Sequence, residues 1–304
     1  MDLSIIIVNW NTRQLLAECL DSIYASPPDR KFEIWVVDNN SKDGSQTMLR
    51  EMYPRVNLIA NSCNPGFARA NNQAIGQCTG DNILLLNPDT VVKPGALRHL
   101  IEFFDEHPEA GAAGPRLINS DGSLQISAYP QPTLWRELWR LFHIDNFHHW
   151  ALYPMDEWDQ DTPRQVDVLM GACLLIRRKV LDQIGLFDED YFMYSEEVDL
   201  CCRVRKAGWW IYWLPRAVVV HYGGQSTDQV AAEMFLHLYH GKILYFRKHY
   251  SWLSVQLYKI VLLLASLGRL ALTPITLIEP PERRKKHLEL SRNYRRLIGA
   301  LPNF

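Results

Sequence analysis

The chain opens on Leu3–Asn9, a run of apolar and mostly β-branched residues interrupted only by Ser4. Such a run predicts a strand buried on both faces of a sheet. Leu15, Leu16, Cys19, Leu20 and Ile23 then recur at helical spacing, with Thr12 standing at the expected N-cap. The pattern repeats. Phe32–Asp38 is a second buried strand, followed by a helix over 45–53, a strand over 55–60, a helix over 67–78 and a strand over 82–86. This alternation predicts an α/β fold, a mostly parallel sheet with crossover helices on its faces. Pro94 is placed to open a further helix through about residue 106.

Beyond residue 118 the rhythm changes. Asn119-Ser120-Asp121-Gly122-Ser123 reads as a hairpin tip. Residues 133–165 are rich in Trp, His and Pro and carry no clear period. Strand character returns over 166–176, a helix is expected over 196–207, and two short strands, 210–214 and 217–221, end at His221. From Gln229 the chain reads as helical to its end, so the expected division is a domain over 1–228 and a helical region over 229–304. Within that region 252–278 is strongly apolar but is interrupted by Lys259, Arg269 and Pro274. A helix lying in a membrane interface is expected there, with Trp252 and Tyr258 at headgroup depth.

Charge sharpens this division. From Lys242 onward there are 12 Lys and Arg against 3 Asp and Glu, a local +9, which leaves −11 on the preceding 241 residues. An acidic body with a basic tail suggests an anionic surface for the tail, where Arg283-Arg284-Lys285-Lys286 and Arg292, Arg295 and Arg296 would meet lipid headgroups. No nucleic-acid partner is expected. The six cysteines show no metal-finger spacing and read as reduced thiols, and Met1-Asp2-Leu3-Ser4 lacks the basic start of a signal peptide. Residence in the cytoplasm, at the inner face of the cell membrane, is the expectation.

Polar clusters follow successive strands. Asn9-Trp10-Asn11-Thr12 follows the first, and Asp38-Asn39-Asn40 ends the second, where a carboxylate can accept the imide N–H of a pyrimidine. The 64–72 segment, with Asn64, Gly66, Arg69 and Asn72, leads into a helix whose N-terminus favours an anion. Leu84-Leu85-Leu86 stops at Asn87-Pro88-Asp89, a turn that can hold Mg²⁺ or Mn²⁺ against a phosphate. Later come Glu196-Glu197-Val198-Asp199, with Glu196, Asp199 and Arg203 sharing a helical face and Glu197 pointing elsewhere, suited to general-base work. His221 ends a Val-Val-Val run beside Gly223-Gly224 and can join a metal shell.

In this order the clusters resemble the inverting family 2 glycosyltransferases of GT-A fold, closest to the bacterial rhamnosyltransferase-like branch, over residues 3–226. The resemblance implies a Rossmann-like domain with a nucleotide-binding half over 1–118 and an acceptor half over 119–228. It implies that Asp38 recognises the pyrimidine, that Asn9, Asn11, Asn40, Asn64, Gly66, Arg69, Asn72 and Asn87 cradle the nucleotide, and that Asp89 and His221 hold the metal. Glu197 stands at the base position with Glu196 beside it, and Gly171, Ala172 and Asp199 line the junction of donor and acceptor. The implied donor is a nucleotide-diphosphate sugar, dTDP-L-rhamnose or a UDP-sugar. The implied acceptor is a glycan or a lipid-linked saccharide. Two rivals remain on the sequence: a nucleotidyltransferase, which would need a Gly-rich basic loop in place of Asn9-Trp10-Asn11-Thr12-Arg13, and a catalytically silent sugar-nucleotide-binding scaffold.

Overall fold

In the computed structural model, which describes residues 1–146, 150–274 and 280–304, the opening run is β1 (Leu3–Asn9), buried at every position. There follow α1 (Arg13–Ala25), β2 (Phe32–Asp38), α2 (Ser45–Met52), β3 (Asn57–Ala60), α3 (Phe67–Ile75), β4 (Asn82–Leu86), β5 (Thr90–Val92), α4 (Ala96–Glu106) and β6 (Ala110–Ile118). Next come β7 (Ala128–Tyr129), α5 (Leu134–Leu141), β8 (Arg164–Gln165), β9 (Val168–Leu169), β10 (Cys173–Arg177), α6 (Arg178–Ile184), α7 (Glu196–Lys206) and β11 (Trp210–His221). Three long helices close the chain: α8 (Ala231–His249), α9 (Trp252–Ala271) and α10 (Pro281–Ala300).

Among the described residues one large sheet runs β3-β2-β1-β4-β10-β6-β11-β5, with β8 paired to β11. β3, β2, β1 and β4 are parallel, as are β6 and β11, whereas β10 and β5 run against their neighbours. Helices cover both faces. Ile5 and Ile7 of β1 pack with Leu16 and Leu20 of α1 and Leu97 and Leu100 of α4. Ile6 and Val8, on the other face, meet Ala70 and Ala74 of α3 and Leu200 and Val204 of α7. Strand period 2 thus divides one apolar run between two cores, so no polar alternation is needed.

Local chemistry accounts for where elements depart from expectation. Thr12 does not cap α1: its hydroxyl donates to Asn9 Oδ1 at 2.7 Å, and the Arg13 N–H donates instead to Asp43 at 2.7 Å. The helix expected to 78 stops at Ile75, with Gly76 as its C-cap. α4 begins at Ala96 rather than Pro94, after Gly95 at φ +82°. The strand expected over 166–176 breaks at Met170-Gly171-Ala172 into β9 and β10, which lie in different sheets. The two strands expected before His221 are one, β11. Its register against β6 shifts between Leu214 and Val218, around Pro215, which has no N–H to give.

The described residues form two compact units, Met1–Gln131 with Tyr153–Phe192 and Glu196–Gln229, and Pro132–Leu152 with Met193–Ser195 and Val230–Phe304. In the second, buried Glu137 of α5 accepts from Lys242 Nζ of α8 at 2.6 Å and from Tyr258 Oη of α9 at 3.3 Å. Burial alone would raise the Glu137 carboxyl, but the Lys242 and Arg140 charges outweigh it and hold it below the usual range. Tyr258 is therefore fully buried, not at headgroup depth as expected, while Trp252 is 76% exposed. Val255, Tyr258, Leu262 and Ala265 face inward from α9, and Leu253, Leu257, Ile260, Leu264 and Leu267 face outward. By length and composition α9 is the one helix among the described residues apolar enough to cross a membrane. The end of the apolar segment, 275–278, lies outside the described residues.

Candidate active site

The carboxyl ends of β1, β2, β4 and β11 carry the polar residues picked out above, all within the first unit. At the β4 turn, Asp89 is buried and His221, the last residue of β11, lies against it with Nε2 3.4 Å from Asp89 Oδ1. The Asn87 amide nitrogen is also 3.4 Å from that Nε2. His221 Nδ1 sits 2.7 Å from Gln125 Oε1. The Gln125 amide is oriented independently, because its nitrogen donates to Asn119 Oδ1 and to the His221 carbonyl. An oxygen there can only accept, so a proton belongs on Nδ1, and in the neutral ring the lone pair is that of Nε2, on the side of Asp89. A carboxylate beside an imidazole lone pair fits a divalent cation. Among the described residues no three His, Cys, Asp or Glu side chains group as a metal site, so Asp89 and His221 are two residues that could hold a cation here. That number suits a cation whose other ligands are phosphate and water.

On the nucleotide side, Asp38 is fully buried at the end of β2. Its carboxylate accepts from Asn9 Nδ2 at 2.8 Å, from the Ser41 N–H at 3.0 Å and from Gln46 Nε2 at 2.7 Å. Asn9 also reaches Ser41 Oγ and accepts from Thr12, so it is a bracket between β1 and the β2 loop. Asn11 and Asn40 both sit at positive φ, +53° and +64°, a conformation asparagine tolerates better than most residues. Asn11 Oδ1 accepts the Lys42 N–H, and Asn40 Oδ1 accepts from Lys42 Nζ. Asn64 Oδ1 accepts the Gly66 N–H and the Asn39 amide. Arg69 and Asn72 are directed to Glu189, at 2.8 and 3.1 Å, and these hydrogen bonds hold the Glu189 carboxyl below its usual range. The structure thereby ties the 64–72 segment to the 187–189 turn.

The third group surrounds Met170-Gly171-Ala172. The Ala172 carbonyl accepts the Asn87 N–H at 2.9 Å, and a Cβ at Gly171 would lie 3.5 Å from Glu197 Cβ. One short segment therefore touches the turn of Asp89 and the side chain of Glu197. Glu196 is buried, its Oε2 without a hydrogen-bond partner. Burial, and then the neighbouring Glu197 charge, push its carboxyl well above the usual range, which favours its neutral form. Asp199 is engaged by Arg203 at 2.7 Å, and that guanidinium also donates to the carbonyls of Ile184, Gly185 and Leu186. This pair pins the turn before 187–189.

The sequence reading did not single out Gln46, Gln125 or the Phe192 carbonyl, which accepts the Phe67 N–H at 2.8 Å. Neither glutamine falls in a motif. Only the fold brings Gln125 beside His221, 96 residues away.

Known proteins match much of this chain. The Glycosyl transferase family 2 model matches residues 4–185. The N-acetylglucosaminyl-diphospho-decaprenol L-rhamnosyltransferase of Mycobacterium tuberculosis (strain H37Rv) is 34% identical over 223 residues, covering 66% of this chain and 70% of that protein. Mannosyltransferase PcManGT from Pyrobaculum calidifontis, solved with GDP-Man and Mn²⁺, shares the fold at TM-score 0.57 and 18% identity, over 99% of this chain and 84% of that one. GalNAc-T7, solved with UDP, GalNAc and Mn²⁺, matches at TM-score 0.56 and 16% identity, over 73% of this chain but only 44% of that one. A family model spanning residues 4–185 and a one-third-identical relative place the mixed sheet and its polar strand ends in one lineage: the chain belongs to glycosyl transferase family 2, in its rhamnosyltransferase-like branch, and is a glycosyltransferase.

Proposed function

We propose that this glycosyltransferase moves L-rhamnose from dTDP-rhamnose, with inversion, to a glycan or a polyprenyl-diphosphate-linked saccharide in cell-surface polysaccharide synthesis. The observation that carries the reading is the Met170-Gly171-Ala172 segment, with the Asp89 turn at one end and Glu197 at the other. Single displacement needs a leaving-group site and a base in that relation. The printed name of the M. tuberculosis relative, joining L-rhamnose to a diphospho-decaprenol saccharide, supports the donor sugar and the lipid-linked acceptor.

Within this reading residues 1–118 bind the nucleotide, 119–228 frame the acceptor, and 229–304 form the helical extension. Gln46 holds the place of the pyrimidine: its amide N–H lies on Asp38 Oδ1, where the imide N–H would donate once Gln46 swings aside. Asn9, Asn11 and Asn40 shape that loop, while Asn64, Gly66, Arg69 and Asn72 bound the nucleotide, with Asn87 beside the diphosphate. Asp89 and His221 hold Mg²⁺ or Mn²⁺, which when bound offsets the charge of the departing diphosphate. Glu197 takes the proton of the acceptor hydroxyl as that oxygen attacks. Glu196, neutral beside it, adds no second charge. Gly171 leaves the space next to Glu197 open, Ala172 fixes the Asn87 turn, and Asp199 steadies the helix that carries the base.

The second unit supports peripheral attachment to the cytoplasmic face of the membrane. It carries 14 Lys and Arg against six Asp and Glu. Five aliphatic side chains on the outer face of α9 are 41–59% exposed. A contiguous apolar stripe of this kind marks an interaction surface, and basic neighbours suit anionic lipid.

A thermal-shift panel tests the assignment, since a ligand of the native state raises stability by mass action. dTDP-rhamnose with Mn²⁺ or Mg²⁺ is expected to give the largest shift. UDP-sugars, which present the same imide edge, form the competing arm, and a larger shift from one of them would replace the donor.

A further inference from the structure

The loop that delivers the base is strained at two consecutive positions. Tyr194 and Ser195 have φ of +69° and +71°, a left-handed conformation that non-glycine residues keep only where their surroundings impose it. Ser195 is buried, and the next residues are Glu196 and Glu197 in the first turn of α7. Met193–Ser195 belongs to the second unit, although α7 belongs to the first.

Gly241 of α8 lies directly against this loop. A Cβ at 241 would sit 2.4 Å from the Tyr194 carbonyl oxygen and 3.3 Å from Ser195 Oγ, so no side chain fits there. Glycine is a poor residue for a helix interior, and this approach is a local reason for it. Two residues earlier, within the first unit, the chain is held in the same manner. The Phe192 carbonyl accepts the Phe67 N–H, and a Cβ at Gly66 would lie 2.4 Å from that oxygen. The backbone is thus seated at carbonyls 192 and 194 before it turns through the strained pair into Glu197.

We propose that Gly241 is a positioning residue for the transfer reaction. By letting the Tyr194 carbonyl seat on α8, it holds Tyr194 and Ser195 in the left-handed conformation that aims Glu197 at the acceptor hydroxyl. The inference rests on Glu197 being the base.

The test uses the full chain carrying Gly241→Ala, Ser195→Thr or, as control, Gly299→Ala, where a Cβ would meet nothing within 4 Å. Gly241→Ala is expected to keep the donor KM and the nucleotide-sugar Kd within about twofold while kcat falls about tenfold or more, as misplacement of a reacting group by a fraction of an ångström does. Ser195→Thr, which keeps the hydroxyl but is β-branched and disfavoured at positive φ, is expected to keep the nucleotide-sugar Kd yet lose kcat, with the acid limb of its pH profile displaced. Gly299→Ala should match wild type. A folded Gly241→Ala protein with wild-type kcat overturns the proposal. If that variant does not fold, wild-type kcat and pH profile in a folded Ser195→Thr protein overturn it. Glu197→Gln separates the two levels. Normal turnover there removes the base itself, whereas lost turnover there with wild-type kcat in both loop variants removes only the role of Gly241.

Discussion

Two adjacent glutamates, one buried and the other partly so, allow a paired prediction. Glu197→Gln keeps shape and removes the basic oxygen, so it forfeits the contribution of a positioned base. That contribution is about 10²–10⁴ in kcat, or roughly 3–5 kcal/mol of barrier. Glu196→Gln acts on a carboxyl already held neutral by burial and by the Glu197 charge. Its kcat should fall less than about tenfold, roughly 1.4 kcal/mol. The two variants also separate in stability. The folded state of the wild type retains the Glu196 proton at a pH where the unfolded chain has lost it. The stability from that proton is complete below the ordinary glutamate range and is lost as pH rises through the folded value, at up to about 1.4 kcal/mol per pH unit. Glutamine has no proton to lose, so the Glu196→Gln protein should gain on the wild type progressively from about pH 5 upward. Placing an amide beside the unpartnered Oε2 position sets a constant offset of about 1–3 kcal/mol that does not vary with pH. Sugar transfer followed by product formation gives the first quantity, and urea titration across pH gives the second. Equal loss of turnover in the two variants, or a stability difference flat with pH, would refute this assignment.

Asp89→Ala should abolish the metal-dependent part of nucleotide-sugar binding in a calorimetric titration and leave metal-independent nucleotide binding in place, because in the proposed site Asp89 and His221 hold the metal. Gln46→Ala should leave dTDP affinity equal or stronger, since it uncovers Asp38 Oδ1. Asp38→Asn should weaken it by about 1.5–3 kcal/mol, the worth of a hydrogen bond to a charged group, with fluorescence titration as the readout. Leu257→Asp combined with Leu264→Asp should release the protein from anionic liposomes in a flotation assay without altering its melting temperature, since both side chains face outward from α9. Unchanged flotation would remove that face as the lipid contact.

How legible the molecule was depended on the range of the interaction. β1, β2 and β4 were readable because a strand covered on both faces carries a near-continuous apolar run, whichever core each residue joins. β11 was half-readable, since Pro215 looks like a break and becomes a register shift only when a neighbouring strand is present to absorb it. Tyr258 was misplaced for a similar reason: an aromatic residue in an apolar helix reads as an interface anchor until the buried Glu137, 121 residues away, supplies its hydrogen-bond acceptor. Asp89, His221 and Glu197 were legible as types at strand and helix ends. The orientation of His221 was not, because it is set by Gln125, a residue with no local signature.

Glycines show the same limit in its sharpest form. Gly66 could be marked as a turn before a helix, and its φ of +90° agrees with that chemistry. With ψ at 176° that backbone is open to little but glycine, and the Phe192 carbonyl also occupies the space of its Cβ, so conformation and contact both require it. Gly241 has no positive φ among the residues so marked, so conformation alone gives no reason for it. Its reason is the Tyr194 carbonyl alone. The substitution that distinguishes a conformational glycine from a contact glycine is therefore alanine at 241 against alanine at 299. The first must displace a backbone carbonyl two residues before Glu196, and the second must displace nothing. If the two behaved alike, close packing would not be what holds the base, and the strain at Tyr194 and Ser195 would need another source.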